Sequence, residues 1–388
     1  MIYLDHNATT PVDPGVLEAM LPYLRGGFGN PSSGYRVGRE ARRAVEGARG
    51  QVAAALGCED GEIFFTSCGT ESNNAVVWSA VELGCRHVVT CRSEHSAVLA
   101  PLRAEAGAGR IELTELGVDG LGRVDMGELE AALRPGETGL VSLMWANNET
   151  GVLHDVERMV ELARGCGAMS HTDAVQAFGK VEVDVREVGV DMLSLSGHKF
   201  YAPKGVGVLY RRRGLRLAPG LLGGGQERGF RGGTENVAGI VAIGAAAELV
   251  AGDVSGVEGA RLAGLRWKFE EGMRAIVPEM RISTGGAARL PNTSHLYLPG
   301  IDAAGLLLLG DERGLCVSAG SACHSGAVHP SHVLEAMGYG ALEAGQCLRV
   351  SLGRNTTEGE IEAALEVLRW AVGRMRAARG GGPVLFAE

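Results

Sequence analysis

Lysine is scarce in this 388-residue chain: Lys180, Lys199, Lys204 and Lys268 are the only four, and the other 33 cationic side chains are arginines. Chemistry that needs a primary side-chain amine is therefore confined to four positions. Paired cysteines are missing too. The eight cysteines stand singly at 58, 68, 85, 91, 166, 316, 323 and 347 with no C-x-x-C among them, which argues against a disulfide framework and points to a reducing cytoplasm. The start, Met1-Ile2-Tyr3-Leu4-Asp5-His6, lacks the basic and apolar regions of a secretory leader. No apolar run reaches bilayer length, since Glu248 interrupts the longest, 237–251. Positive charge is not in excess, with 46 acidic against 37 basic residues and a net charge of −9, so bulk attraction to nucleic acid is excluded. No G-x-G-x-x-G, G-K-[ST] or H-E-x-x-H occurs, and dinucleotide, nucleotide-triphosphatase and zincin readings lose their usual motifs. Glycine is abundant instead, 60 residues without a collagen period beside 45% hydrophobic residues, as in a globular chain with many tight turns.

From about residue 60 to 212, short apolar runs alternate with helical patterns. Strands are predicted at 63–66, 87–90, 140–145, 168–172, 192–195 and 206–210. Asp155 caps a helix that carries Val156, Met159, Val160 and Ala163 and stops at Gly165 and Gly167. Asp13 followed by Pro14 starts an earlier one. This alternation predicts an α/β fold with a mainly parallel sheet, whose ligands lie beyond the carboxyl ends of the strands. Past residue 252 the pattern becomes α+β: a long helix at 257–276, strands at 293–298 and 348–352, and a final amphipathic helix. We therefore expect a large domain at 14–255 and a smaller α+β domain formed by 1–13 and 256–388.

Four segments combine residues that chemistry could use. In Ser194-Leu195-Ser196-Gly197-His198-Lys199 a strand ends in hydroxyls, a histidine and a rare lysine. A lysine desolvated at a strand end can become a nucleophilic amine while its neighbours hold a phosphate, although a surface lysine in a turn fits equally. Thr66-Ser67-Cys68-Gly69-Thr70 leads into a helix whose free amides suit an anion, or is an ordinary capped helix. Asp173 ends an apolar strand, with Gln176 three residues on; a buried aspartate needs a cation or several donors unless it caps the next helix. The fourth segment, Ser318-Ala319-Gly320-Ser321-Ala322-Cys323-His324-Ser325-Gly326, sets a thiol among small residues, as suits a nucleophile. His324, His329 and His332 follow it at spacings that match no standard zinc motif, so no metal site is expected.

Taken in order, Tyr3-Leu4-Asp5-His6-Asn7-Ala8-Thr9-Thr10, Phe28-Gly29-Asn30-Pro31-Ser32-Ser33, Glu94-His95-Ser96-Ala97, Asn147-Asn148-Glu149-Thr150-Gly151, Ser196-Gly197-His198-Lys199, Arg231-Gly232-Gly233-Thr234-Glu235-Asn236, the Cys323 loop and Leu348-Arg349-Val350-Ser351 resemble the cysteine desulfurases of the NifS/IscS type. These belong to the class V aminotransferase family of fold type I pyridoxal-phosphate enzymes, which pair a mainly parallel large domain with a smaller α+β domain.

The resemblance implies pyridoxal 5′-phosphate as cofactor and L-cysteine as substrate, with alanine and a Cys323 persulfide as products. It implies that Lys199 binds the cofactor covalently and then serves as base, and that Asp173 faces the ring nitrogen. Gln176 and Asn148 would lie at the ring hydroxyl edge, Asn148 also near the substrate, and His95 would stack on the ring and take part in proton transfer. Gly69, Thr70, Ser196 and His198 would hold the phosphate, joined by Thr234 from a second subunit of a homodimer, and Arg349 would take the substrate carboxylate. An acceptor protein, foremost an iron–sulfur scaffold, would receive the sulfur, and Cys323 would be open to transient cluster ligation. His324 replaces the Ser or Thr usual after the nucleophile and is expected to tune it, whereas Cys68 is expected only to pack. A selenocysteine lyase, a class V aminotransferase and a catalytically idle sulfur carrier are the alternatives.

Overall fold

The structure, a computed structural model, describes residues 1–252, 256–319, 323–324, 327–328 and 331–379. Seven strands form the main sheet, in the spatial order Ile63–Thr66, Gly207–Arg211, Met192–Ser196, Met169–Asp173, Thr138–Ser142, His87–Cys91 and Glu112–Leu116. Gly207–Arg211 runs antiparallel to both its neighbours, and all the other pairings are parallel. Val88, Leu140, Leu193 and Leu195 are wholly buried, as expected where helices cover both faces of a parallel sheet.

One strand of the main sheet escaped the sequence reading. Glu112–Leu116 sits at the sheet edge, where its acidic side chains reach solvent and pair with Arg134 and with Arg103 (2.7 Å). Charge at an edge blunts further strand pairing but disguises the apolar pattern. Another segment, expected as strand at 140–145, is strand over Thr138–Ser142, and beyond it Leu143 N and Trp145 N still donate to His171 O (3.1 Å) and Asp173 O (3.0 Å) of the neighbouring strand. The helix Pro14–Arg25 is capped as expected by Asp13, whose side chain accepts from Gly15 N at 2.8 Å, and Asp155 caps Val156–Cys166 in the same way.

A second sheet, antiparallel throughout, is ordered Ser318–Ala319, Cys347–Ser351, Thr293–Tyr297, Arg281–Ile282. It packs with the helices Val257–Ile276 and Glu358–Arg379 around a separate apolar core that includes Phe269, Leu296, Val350 and Leu368. The N-terminus joins this unit: Ile2–Tyr3 pairs with Leu315–Cys316, and Leu4 is buried in its core. The chain then crosses to the large sheet, where Thr10 N donates to His198 O at 2.8 Å.

Candidate active site

Because the Ile63–Thr66 strand and the parallel strands point the same way, their carboxyl ends meet at one edge. Thr66 and Ser196 both stand opposite Gly207. A cavity of about 250 Å³ opens there. Its walls include Cys68, Gly69, Thr70, Asn73, His95, Asn148, Asp173, Gln176, Ser196, His198 and Lys199. Nine of the sequence-nominated residues are thus brought together. Ser194, two residues before Ser196 on the same face of the strand, is not: it lies further back along the sheet, where its hydroxyl meets His171 Nε2 at 3.0 Å.

At one end of the cavity the helix Gly69–Glu82 begins with Cys68 at its cap position and no side-chain cap, which leaves its first amides open to an anion. A Cβ on Gly69 would lie 2.9 Å from Val175 Cγ2 and 3.3 Å from the Ser196 Cβ, so only glycine permits this approach of helix start to strand end. His198 lines the same end, and burial, with Lys199 nearby, depresses its pKa to about 4.

Deeper in, Asp173 is 5% exposed and accepts from Asn73 Nδ2 at 2.7 Å and Val175 N at 2.9 Å. A carboxylate so placed calls for a cation from the cavity side. Glu94, wholly buried, is pushed well above the usual carboxylate range by burial and then by the neighbouring Asp173. His95 caps the helix Ser96–Gly107 by accepting at Nδ1 from Ala97 N (3.1 Å), which assigns the proton of its neutral ring to Nε2. Its pKa is lowered, chiefly by burial.

Lys199 Nζ donates to Asn7 O at 2.6 Å and Ala8 O at 2.8 Å. Burial, followed by the Arg349 charge, draws its pKa down to about 8. Arg349 is not among the residues lining the cavity and reaches its wall through Asn148. Its Nη2 pairs with Asp5 Oδ1 at 2.7 Å, its Nη1 donates to Asn148 O at 3.1 Å, and its buried Nε has no partner. Gln176 donates to Asn7 O (2.9 Å) and accepts from Lys180 Nζ (2.6 Å).

Sequence reasoning missed Asn73, Glu94, Lys180 and the Asp5–Ala8 segment as parts of this site. Asn73 was readable in hindsight: it lies four residues after Gly69, one helical turn along, on the side that must face Asp173. Thr234 lies apart from the cavity, exposed beside a separate hollow of about 170 Å³. Cys323–His324 pairs antiparallel with Ala327–Val328, whereas the Cys323 and His324 side chains, Gly320 to Ala322 and His329 lie outside the described residues. His332, the other histidine of that group, gives its Nε2 to Glu94 O at 2.8 Å.

An aldehyde-bearing pyridine phosphate fits this donor set: an amine of low pKa, a buried carboxylate without a cation, and a glycine-floored helix start. The model of the aminotransferase class-V family matches residues 2–364, and the chain belongs to that family. Within it, the curated relatives carry one activity in their names, and the solved structures share the fold. The chain is 47% identical over 379 residues to "Cysteine desulfurase 2" of Trichormus variabilis, covering 97% of this chain and 94% of the relative. It is 44% identical over 390 residues to "Cysteine desulfurase NifS" of Azotobacter vinelandii, covering 99% and 96%. A solved "NIFS-LIKE PROTEIN" superposes with a TM-score of 0.90 at 37% identity, over 96% of this chain and 99% of that one. "SspA in complex with cysteine" superposes at 0.80 with 33% identity, over 92% and 100%. The protein described here is a pyridoxal-phosphate-dependent cysteine desulfurase, an enzyme of fold type I.

Proposed function

We propose that the cavity residues divide the reaction as follows, and that the sulfur leaves on Cys323 for an acceptor protein that builds iron–sulfur clusters. The observation that carries the reading is the convergence of Lys199, Asp173, His95 and the open helix start at Gly69 on one cavity. The bound cofactor supplies an electron sink for the pair left at the substrate Cα. Lys199 would hold the cofactor through its amine and, once freed, would take the substrate Cα proton at Nζ. Asp173 keeps the ring nitrogen protonated, and Asn73 holds the carboxylate plane in place. His95, with its proton on Nε2, covers the ring and moves protons on the substrate side. Gln176 and Asn148 contact the ring hydroxyl edge, and Gly69, Thr70, Ser196 and His198 hold the phosphate. Arg349 receives the substrate carboxylate on its fork, with Asp5 steadying the guanidinium. The Cys323 thiolate would attack the substrate sulfur: an S–S bond forms as the Cβ–S bond breaks, the electron pair stays with the carbon skeleton, and protonation at Cβ followed by return of a proton to Cα yields alanine.

The large unit, 14–255, and the smaller unit, 1–13 with 256–388, act as two domains; the large one lines the cavity, and the 7–8 segment of the small one holds Lys199. A homodimer is supported by the exposed Thr234 segment, distant from its own cavity, and by the apolar Trp78, Leu221 and Leu222 exposed nearby. A cytoplasmic site of action is supported by the free state of all seven described cysteines, and no helix among the described residues is long and apolar enough to cross a membrane.

Incubation with L-cysteine and a reductant tests the reading. Sulfide and alanine are expected in equal amounts from wild type. Cys323→Ala should release no sulfide while retaining the yellow cofactor. Sulfide release by Cys323→Ala at the wild-type rate would overturn the assignment, and amino transfer to a 2-oxo acid would favour the aminotransferase alternative.

A further inference from the structure

The segment between Asp5 and Thr10 was expected only to pack on the small unit. Instead it passes between the two units with its main chain turned to the cofactor lysine. Asn7 is 1% exposed, and every polar group on it is engaged. Its N–H donates to Ser351 Oγ (2.9 Å) and its Nδ2 to Thr293 Oγ1 (2.9 Å), while its Oδ1 accepts from Asn292 Nδ2 (3.2 Å). These three partners belong to the small unit. On the other side, Nδ2 also donates to Asn148 O (3.2 Å), and the Asn7 carbonyl accepts from Gln176 and Lys199 of the large unit.

A neutral amine has two N–H donors and one lone pair. With Asn7 O and Ala8 O taking the two donors of Lys199, the lone pair is left with the one remaining tetrahedral direction. After the amine gains a proton, both bonds persist and the new N–H occupies that same direction. A side chain with four rotatable bonds is thereby reduced to one orientation, which saves the ordering entropy that a free lysine would lose at each proton transfer.

We propose that Asn7 is a positioning residue for proton transfer: locked to the small unit through Thr293, Asn292 and Ser351, it presents the carbonyls of Asn7 and Ala8 that aim the freed Lys199 amine at the substrate Cα. The proposal rests on the reading of Lys199 as the cofactor lysine. It makes the base's aim depend on how the small unit sits against the large one, so a change at Thr293, outside the cavity wall, reaches the proton-transfer step.

Two variants test it. Asn7→Ala removes the lock at its centre, and Thr293→Val removes one partner without altering the 5–10 segment; Thr293→Ser keeps the hydroxyl and serves as rescue. Exchange of the Cα proton of L-alanine in D2O, followed by proton NMR, reads proton transfer without any sulfur chemistry. We expect exchange at least tenfold slower in Asn7→Ala, several-fold slower in Thr293→Val and near wild type in Thr293→Ser. As a second readout, apoprotein is labelled with formaldehyde and cyanoborohydride and digested for mass spectrometry. The rate at Lys199 relative to exposed Lys204 should rise about threefold or more in Asn7→Ala, because the amine is no longer held against two carbonyls. Unchanged exchange and unchanged labelling in both Asn7→Ala and Thr293→Val would overturn the proposal. Failure of the underlying reading looks different: borohydride reduction of wild-type holoenzyme would then fix the cofactor on a lysine other than Lys199.

Discussion

At the scale of single residues, Lys199 illustrates how burial prepares an amine. An ordinary lysine near pKa 10.4 is almost wholly charged at neutral pH. Lys199, drawn down to about 8, is neutral in roughly a tenth of molecules at pH 7. Cofactor loading of the apoprotein, followed by rapid-mixing absorbance, should therefore rise with pH and level off above about 8. In Arg349→Gln a positive neighbour is lost, and the midpoint should move up; an unmoved midpoint would contradict the electrostatic account. Asn73 makes a second test. It supplies one of the two hydrogen bonds on the buried Asp173 carboxylate. A bond to a charged group is worth about 1.5–3 kcal/mol, so Asn73→Ala should weaken cofactor binding about tenfold or more by equilibrium dialysis.

Elements carry the site because their ends are fastened. The glycine-rich segment 221–236 is held by Glu227, which is 6% exposed and sits at a left-handed φ of 45°. Both its oxygens meet Arg49 at 2.9 Å, one also accepts from Phe65 N at 2.8 Å, and Arg49 reaches Ile63 O at 2.8 Å. A buried ion pair of this kind costs far more to break than it contributes when whole. Arg49→Met, which strands the Glu227 charge, should lower stability by about 3–5 kcal/mol in denaturant unfolding. The neighbouring motif at Arg231 to Asn236 was legible in the sequence, but the pairing of Glu227 with Arg49, 178 residues earlier in a helix, was not. Similarly, Gly207 stands in a strand where a Cβ would meet Cys68 C at 2.6 Å and Thr66 Oγ1 at 2.8 Å. Gly207→Ala should push the phosphate turn outward, and weaker retention of cofactor on gel filtration would show it.

For the whole molecule, buried histidines set the acid limit. His154, His171 and His295 are held neutral by burial, with pKa values of about 4, 3 and 3. Unfolding releases each to about 6.5. Their contribution is complete above pH 6.5 and is lost as pH falls towards their folded values, at about 1.4 kcal/mol per pH unit each. Glu94 and Glu149, raised by burial, work in the opposite sense above the ordinary carboxylate value. The histidine share is thus read by difference. His171→Gln should flatten the loss of stability between pH 6.5 and 5 by one histidine's part, measured as denaturant midpoints at each pH. His171 also bridges Ser142 (2.8 Å) and Ser194 (3.0 Å) on the two flanking strands, so the same variant should be less stable at pH 7.

Local pattern alone determined much of this protein. A strand that ends in Ser196-Gly197-His198-Lys199, one that ends in Asp173 with Gln176 beyond, and a helix that opens at Gly69 are each specified by residues within a few positions of one another. Once an α/β layer is inferred, strand direction sends all three to one edge of the sheet. The tertiary structure alone decided which groups answer them. Asn7 lies 192 residues from Lys199, Asp5 lies 344 from Arg349, and Asn73 lies 100 from Asp173. The physical reason is that periodicity and capping act within a turn or a strand pair, whereas a buried charge or amine takes its partner from whatever segment the fold packs against it.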